Sequence, residues 1–425
     1  MISIISRILP ESIKEKIRLS NIWSFILEYR AGKLHKEYNQ RREKYKTLKG
    51  NKQLSISIGN DMNSLKQHFI SYGRWNRKHK KVGEIHTFAI VRRKTWEVSL
   101  TDELKALGKV TIFDFYERGF DGSIQTKRNL WLRKREEENI EIIKVLQETH
   151  KDDPVDWVFC YFDGLFILRS TIETIKNSIN IPTVNMCLDD KHSWDGYRLG
   201  EQMSGQIDLA SVFDLSWTSA RIAVDWYNLE GGRCIYLPEG FNPAEYYPTS
   251  VDFDIPVSFM GACYGARPLL INFLKKHGIP VQVFGSGWGR ASSGYAKSPN
   301  EIFNRSQINL GGGYIGHSRK LTNVKGRDFD IPGAGGGIYL TTFNADLAQH
   351  FQIGKEILCY HSFDECLELI RYYLDRPDEC RAMAKLARER CLREHRWLHR
   401  YIYICQLLGI LDDKISVPDI VYQQE

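Results

Sequence analysis

The sequence predicts an α/β protein of two domains, each a parallel sheet covered by helices, with a basic helical arm in front. Three observations predict this. Short apolar runs rich in β-branched residues alternate with helical patterns, first between Ile85 and Leu237 and again from Val257 to Leu374. Pro238, Pro243, Pro248 and Pro256 fall between the two series, as an interdomain linker would. The cationic excess is confined to the arm. Residues 1–50 hold 12 Lys+Arg and 5 Asp+Glu, which from chain totals of 59 and 52 leaves 47 of each sign in residues 51–425.

The 425 residues are 42% hydrophobic and 26% charged, ordinary for a globular protein and enough for two cores. A neutral body argues against nucleic-acid binding. Nine cysteines without a Cys-x-x-Cys argue for a reducing compartment, against disulfides and against structural zinc.

The arm, residues 1–52, opens on Ile2, Ile4, Ile5, Ile8 and Leu9, too short an apolar tip to span a bilayer and without the charged start of a secretory signal. Pro10 and Glu11 fit a helix start; Ile13 and Ile17, and Ile22 and Ile26, fall four apart. Trp23, Phe25 and Tyr29 precede a lysine- and arginine-rich stretch from Lys33 to Lys49. Two readings stay open. A basic amphipathic segment with aromatic residues can lie on an anionic membrane surface, and a pair of helices can pack on the body or on a partner.

The first domain, residues 53–245, reads in order. Ile85–Val91 is a strand running into Arg92-Arg93-Lys94. Val98–Leu107 is a helix closed by Gly108, and Val110–Phe115 a strand. Thr126–Thr149 is a charged helix with Ile140, Ile143, Val145 and Leu146 as its buried stripe. Trp157–Phe162 is a strand ending at Asp163-Gly164. After the helix Ser170–Ile179, the strand Thr183–Leu188 ends at Asp189-Asp190. Leu215–Thr218 and Cys234–Leu237 complete the sheet. In open α/β sheets ligands bind beyond the carboxyl ends of strands, which makes Asp163, Asp189 and Asp190 candidates for acid–base work, with His192 beside them. Asp190 is favoured, because a neighbouring carboxylate raises a carboxyl pKa. For each, a helix cap or loop carboxylate is the competing reading. Trp75, Trp96, Trp194 and Trp288 suit stacking on a sugar or base, against the commoner interior role, and His86 and His317 read as structural.

The second domain, residues 246–400, starts with the strand Val257–Met260, the turn Gly261–Arg267 and a helix stopped by Gly278. Val281–Phe284 leads into Gly285-Ser-Gly-Trp-Gly289, which is not Gly-x-Gly-x-x-Gly and is weak as a dinucleotide signal. Ile308–Leu310 leads into Gly311–Gly313. Lys325-Gly-Arg-Asp-Phe-Asp-Ile-Pro-Gly-Ala-Gly-Gly-Gly-Ile-Tyr-Leu-Thr-Thr342 follows. Cations and loop N–H groups suit a diphosphate, a carboxylate suits ribose hydroxyls, and glycines let backbone approach a ligand. An ordinary glycine-rich turn between helix and strand is the other reading. A helical pattern from about Asp378 to Leu411 is long enough to cross back to the first domain, with residues 401–425 as final helix and tail.

Read on from this stretch, the blocks Gly354-Lys-Glu-Ile357, Tyr372-Tyr-Leu374 and His395-Arg-Trp-Leu-His-Arg400 follow in order. Between about Val257 and Arg400 the chain resembles the C-terminal half of group 1 glycosyltransferases. The resemblance is strongest to the branch named for the spore-maturation protein CgeB, with its Lys-Gly-Arg-Asp-Phe-Glu-(Val/Ile)-Pro, Gly-x-Glu-Ile, Tyr-Tyr-Leu and His-(Thr/Arg)-Trp-x-x-Arg pattern. It implies the GT-B architecture, two Rossmann-like domains with parallel sheets facing across a cleft. It also implies a metal-independent transferase in the cytoplasm or at the inner face of the membrane. The donor would be a UDP- or GDP-sugar and the acceptor a glycan, a lipid-linked sugar or a protein. A sugar-nucleotide epimerase and a non-catalytic glycan-binding or assembly protein are the alternatives on this fold.

The resemblance places Lys325 and Arg327 on the diphosphate, with Arg267 as a third cation and Gly261, Gly285 and Gly335 as points of close backbone approach. Asp330 stands where the family has the Glu that holds ribose, one methylene shorter. The second Glu of retaining relatives is Thr322 here, so the stereochemistry is left open.

Overall fold

The computed structural model describes residues 21–51, 65, 67, 69, 79–93, 97–120, 128–289, 292–293 and 298–414. The apolar tip of the arm, Trp75, Trp96 and the tail 415–425 lie outside the described residues. The chain divides into two compact units, each made of two segments. Residues 1–40 with 243–395 form unit 1, and residues 41–242 with 396–425 form unit 2.

Unit 2 contains β1 (Thr87–Val91), α2 (Glu97–Leu104), β2 (Val110–Asp114), α3 (Arg128–Asp152), β3 (Trp157–Cys160), α4 (Arg169–Ser178), β4 (Thr183–Cys187), α5 (Asp190–Ser193), β5 (Leu215–Thr218), α6 (Arg221–Leu229) and β6 (Cys234–Tyr236). Its six strands are all parallel, in the order β2-β1-β3-β4-β5-β6. Alternate residues of one strand feed opposite faces. Ala89, Val91, Trp157 and Phe159 enter one core with Leu100 and Leu104 of α2. Phe88, Ile90, Val158 and Cys160 enter the other with helices α3 and α4. Burial on both faces is why these strands read as unbroken apolar runs.

The buried stripe of α3 differs from the expected one. Trp131, Arg135, Asn139, Ile142 and Leu146 face inward, while Ile140 is 69% exposed. The inward phase is set by Trp131 and by two polar side chains with backbone partners across the core, which an apolar count does not register.

Unit 1 contains β7 (Ile255–Met260), α7 (Arg267–Lys276), β8 (Val281–Phe284), α8 (Pro299–Arg305), β9 (Ser306–Leu310), α9 (Arg327–Ala334), β10 (Ile338–Thr342), β11 (Leu358–Tyr360), α10 (Phe363–Leu374) and α11 (Pro377–Glu394). The strands are again all parallel, ordered β8-β7-β9-β10-β11. The single long helix expected over 378–411 is two. Arg396 is extended, with φ −71° and ψ 152°, and separates α11 from α12 (Trp397–Leu407), which belongs to unit 2. Buried Glu103 receives Arg396 Nη2 at 3.0 Å and the Leu398 N–H at 3.2 Å, fixing the break.

The arm is no separate body. Helix α1 (Asn21–Asn51) buries Trp23, Leu27 and Ala31 in its first part and Arg41 and Tyr45 in its second. Within unit 2 Arg41 pairs with Asp195 at 2.6 Å, Lys44 with Glu230 at 3.1 Å and Lys49 with Asp225 at 2.8 Å. Much of the basic charge in this half of the helix is thus complementary to carboxylates of the same unit. Of the two open readings, packing on the body describes these residues.

Candidate functional site

In both sheets the strand order reverses beside the first strand, between β1 and β3 in unit 2 and between β7 and β9 in unit 1. The crevice at the carboxyl ends of such strands is where a ligand finds helix N-termini and loop groups together.

In unit 1, β7 ends at Met260 and gives way to Gly261, whose φ of 149° suits glycine. A Cβ built there would lie 3.2 Å from Arg267 Nη1 and 3.2 Å from both terminal nitrogens of Arg327. Arg267 opens α7 and Arg327 opens α9, so two guanidinium groups carried by two helix starts meet over one glycine. Arg327 Nη1 donates to the Met260 carbonyl at 3.1 Å. Arg267 Nη1 donates to the Ala262 carbonyl at 2.9 Å and Nη2 to the Tyr264 hydroxyl at 3.1 Å. Among the described residues no carboxylate pairs with either. Burial, and then the neighbouring Arg327 charge, lower the Arg267 pKa to about 9. Two partly desolvated like charges side by side are unfavourable unless an anion joins them. Neither helix start has a side-chain cap, which leaves N–H groups on the same side as the cations.

The other expected donor residues divide. Lys325 lies two residues before Arg327, its N–H held by Asp328 Oδ2 at 2.7 Å. Asp330 is one turn into α9; a Cβ on Gly326 would stand 3.7 Å from its Oδ2. Gly285 has φ 128°, and a Cβ there would strike the Gly261 carbonyl oxygen at 2.7 Å, so it makes room for backbone. Gly335 closes the far end of α9 in a left-handed cap against Arg388, away from the arginine pair. Sequence reasoning gave no role to Asp328. It is buried, accepts hydrogen bonds from the Tyr339 hydroxyl and the Lys325 N–H, and thereby shapes the loop that presents Arg327.

In unit 2 a cavity of about 320 Å³ opens at the ends of β1, β3 and β4. Phe162, Phe166, Met186 and Leu188 give it apolar walls; Arg92, Asp163, Asp189, His192 and Gln206 give it polar ones. Burial raises the Asp163 carboxyl to about 6; nearby Asp189 pushes the same way, while the Leu165 N–H and Arg92 pull it down. The turn that carries Asp163 is held firmly. Asn185 Nδ2 at 3.0 Å and Gln206 Nε2 at 2.8 Å bond the Phe162 carbonyl, and Arg135 Nη1 and Gln202 Nε2, both at 2.9 Å, bond the Gly164 carbonyl.

Asp190, the favoured base, has a different place. It is fully buried and accepts hydrogen bonds from the Thr218 hydroxyl and from Tyr227 Oη at 2.9 Å, while the cavity is lined by Asp163 and Asp189. As the first residue of α5 it turns inward, whereas Asp189 stays outside. His86 is structural as expected, bonded to the Asp153 carbonyl and Thr111, and Trp194 and Trp288 are interior. Among the described residues no group of three or more His, Cys, Asp or Glu could hold a metal ion, and no helix is long and apolar enough to cross a membrane.

Comparison with known proteins adds to this geometry. Residues 267–406 match the family described as glycosyl transferase-like. No curated protein matches the chain. Among solved structures, Anabaena HepE in complex with UDP and glucose is similar with a TM-score of 0.51 at 12% identity, covering 77% of this chain and 100% of that one. The same protein with UDP-glucose gives a TM-score of 0.50 at 12% identity and the same coverage. A glycosyltransferase from Rickettsia africae gives a TM-score of 0.51 at 11% identity, covering 77% of this chain and 99% of that one. At these identities the likeness speaks for the fold, which is GT-B.

Proposed function

We propose that the protein transfers a sugar from a nucleoside-diphosphate sugar to a hydroxyl of a glycan, lipid-linked or protein acceptor, as a member of the CgeB-like branch. The observation that carries this reading is the pair of half-buried guanidinium groups, Arg267 and Arg327, converging over Gly261 at two helix starts. A diphosphate supplies the two adjacent anionic groups that such a pair lacks. Lys325 adds a third cation and Asp330 the carboxylate for ribose. Solved relatives of the same fold hold UDP and UDP-glucose, which favours a nucleotide-sugar donor.

Unit 2 supplies the acceptor pocket, with Asp163 as the base. As the acceptor oxygen bonds to the anomeric carbon, its proton passes to Asp163. The bond from that carbon to the diphosphate oxygen breaks, and the electron pair leaves with the diphosphate, where Arg267 and Arg327 neutralise it. A carboxyl near 6 is ionised at neutral pH and still basic enough to accept that proton.

Calorimetric titration of uridine, UMP and UDP tests the site. Arg327→Ala should weaken UDP by about 2–4 kcal/mol and spare uridine, while Asp330→Ala should weaken all three. Normal UDP binding by Arg327→Ala overturns the assignment. Acceptor-free conversion of the donor sugar, in place of transfer, would favour the epimerase reading instead. The membrane reading of the arm now rests on residues 1–20 and on exposed Phe25 and Tyr29, and is tested by sedimentation with anionic liposomes.

A further inference from the structure

The loop that ends in Arg267 has little stiffness of its own. It contains Gly261 with φ 149° and Gly265 with φ 61°, two residues free to sample other backbone regions. Yet Arg267 depends on it. Tyr264 carries the Arg267 guanidinium 4.1 Å above its ring and accepts its Nη2 at 3.1 Å. Whatever fixes the Tyr264-Gly265 turn therefore fixes one half of the arginine pair.

The Gly261 and Cys263 end of the loop is tied to the end of β8, by the Gly261 N–H to the Phe284 carbonyl and the Cys263 N–H to the Ser286 carbonyl, both at 2.8 Å. The Gly265 end is tied to helix α1. The indole Nε1 of Trp23 donates to the Gly265 carbonyl at 3.2 Å across 242 residues of sequence. The Trp23 ring, 7% exposed, meets the edge of His317 at a centroid distance of 6.5 Å. One face of Gly265 rests on the neighbouring loop, where a Cβ would come within 2.4 Å of the Gly316 carbonyl oxygen. Leu34 of α1 packs against Gly316, its Cδ2 3.5 Å from the position of a Cβ there, and His35 Nε2 lies 2.7 Å from Ser318 Oγ. One helix thus touches both glycine-rich loops, at the ends of β7 and β9, the first of which carries Arg267. All these residues belong to unit 1. Helix α1 and Gly261–Ala266 also lie outside the stretch that matches the transferase-like family.

We propose that Trp23 is a positioning residue for the diphosphate site: its indole N–H holds the Gly265 turn, and through Tyr264 sets where the Arg267 guanidinium stands. The inference rests on the reading of Arg267 and Arg327 as a diphosphate site. It gives the first turns of α1 a part in donor binding, separate from any tethering role.

Trp23→Phe keeps most of the buried ring and removes the N–H; His35→Ala cuts the second tie. Calorimetric titration with inorganic pyrophosphate, UDP and uridine reads the effect. Trp23→Phe should raise the Kd for pyrophosphate and UDP about three- to tenfold, the worth of one hydrogen bond, and leave uridine unchanged. His35→Ala should act in the same direction. The unliganded thermal midpoint of Trp23→Phe should move by less than about 4 °C. Unchanged pyrophosphate affinity in both variants, alongside its loss in Arg327→Ala, overturns the positioning role alone. So does an equal loss for uridine and pyrophosphate, which marks a general structural defect. Unchanged affinity in Arg327→Ala overturns the site itself.

Discussion

Arg267 and Arg327 bring their guanidinium groups to one point, each 3.2 Å from where a Cβ on Gly261 would sit. The absent side chain is as much a part of this arrangement as the two cations. A methyl group at 261 would occupy the space between them and would also have to adopt a φ of 149°. Gly261→Ala should therefore cost about 1–3 kcal/mol of stability from backbone strain and weaken UDP by at least tenfold. Urea unfolding and calorimetry measure the two effects separately. Wild-type UDP affinity in a folded Gly261→Ala would show that the arginines act elsewhere.

Asp163 leads to a prediction about pH. Its carboxyl, raised to about 6 chiefly by burial, must be ionised to take a proton. Transfer should rise with pH through about 6 and be lost as pH falls below it, while UDP affinity stays level across that window. Asp163→Asn should lower turnover by a factor of about 10² or more and abolish this limb of the profile. A variant that keeps both rate and profile would remove Asp163 from the chemistry and leave Asp189 as the carboxylate to test.

Asp190 should behave as a structural group. Asp190→Ala leaves the hydroxyls of Thr218 and Tyr227 without their shared acceptor inside the core, at a cost of about 2–4 kcal/mol. The folded-state carboxyl is raised to about 6, mainly by burial. The folded protein therefore holds this proton over a range where the unfolded chain has released it. The stability contributed by the group is full below about pH 4 and falls as pH rises from there through about 6. Asp190→Asn should flatten that part of the stability curve. Denaturant midpoints at pH 5 and 7.5 provide the measurement, and identical slopes in both proteins would contradict it.

The arm yields a prediction that a simple tether does not share. Tyr45 stacks on Trp226 at 5.7 Å, donates to Glu230 at 2.6 Å and accepts the Trp194 N–H at 2.8 Å. Tyr45→Ala should destabilise unit 2 by about 3–5 kcal/mol, seen as an earlier urea transition. An unchanged transition would mean that the helix lies only loosely on the body.

The two sheets were legible because a parallel strand buried on both faces is an uninterrupted apolar run, and such runs here were separated by helical periods. Arg327 and Arg267 could be picked out as cations beside glycines, but not that each opens a helix or that the two meet over Gly261. Side-chain direction at a strand end was not. Asp189 and Asp190 are adjacent and chemically identical, yet the start of α5 sends one outward and the other into the core. The spacing of carboxylates in sequence does not contain that difference. Nor does it show that Arg135, Asn185, Gln202 and Gln206 converge on the Asp163 turn, since they come from different elements. The arm's partners were hidden for a related reason: composition records charge, and the carboxylates opposite, Asp195, Asp225 and Glu230, lie far along the chain.

The break at Arg396 bears on the order in which the protein can be made. Trp397, Leu398, Tyr401 and Ile404 share a core with Phe159 and Trp217 of the strands synthesised much earlier. On the ribosome, then, the six-stranded sheet emerges before residues 243–395 of the other unit, but one of its faces, covered in part by α2, stays incomplete until α12 follows. The later unit has its own sheet complete by Tyr360 and its last helix by Glu394, so it is free to fold while the earlier one still waits. Ribosome-bound chains from which residues up to Glu394 have emerged should expose an apolar surface that chaperones recognise, and the stretch from Trp397 should close it. A gene split at residue 242 would yield two fragments, neither of which carries everything its own unit needs.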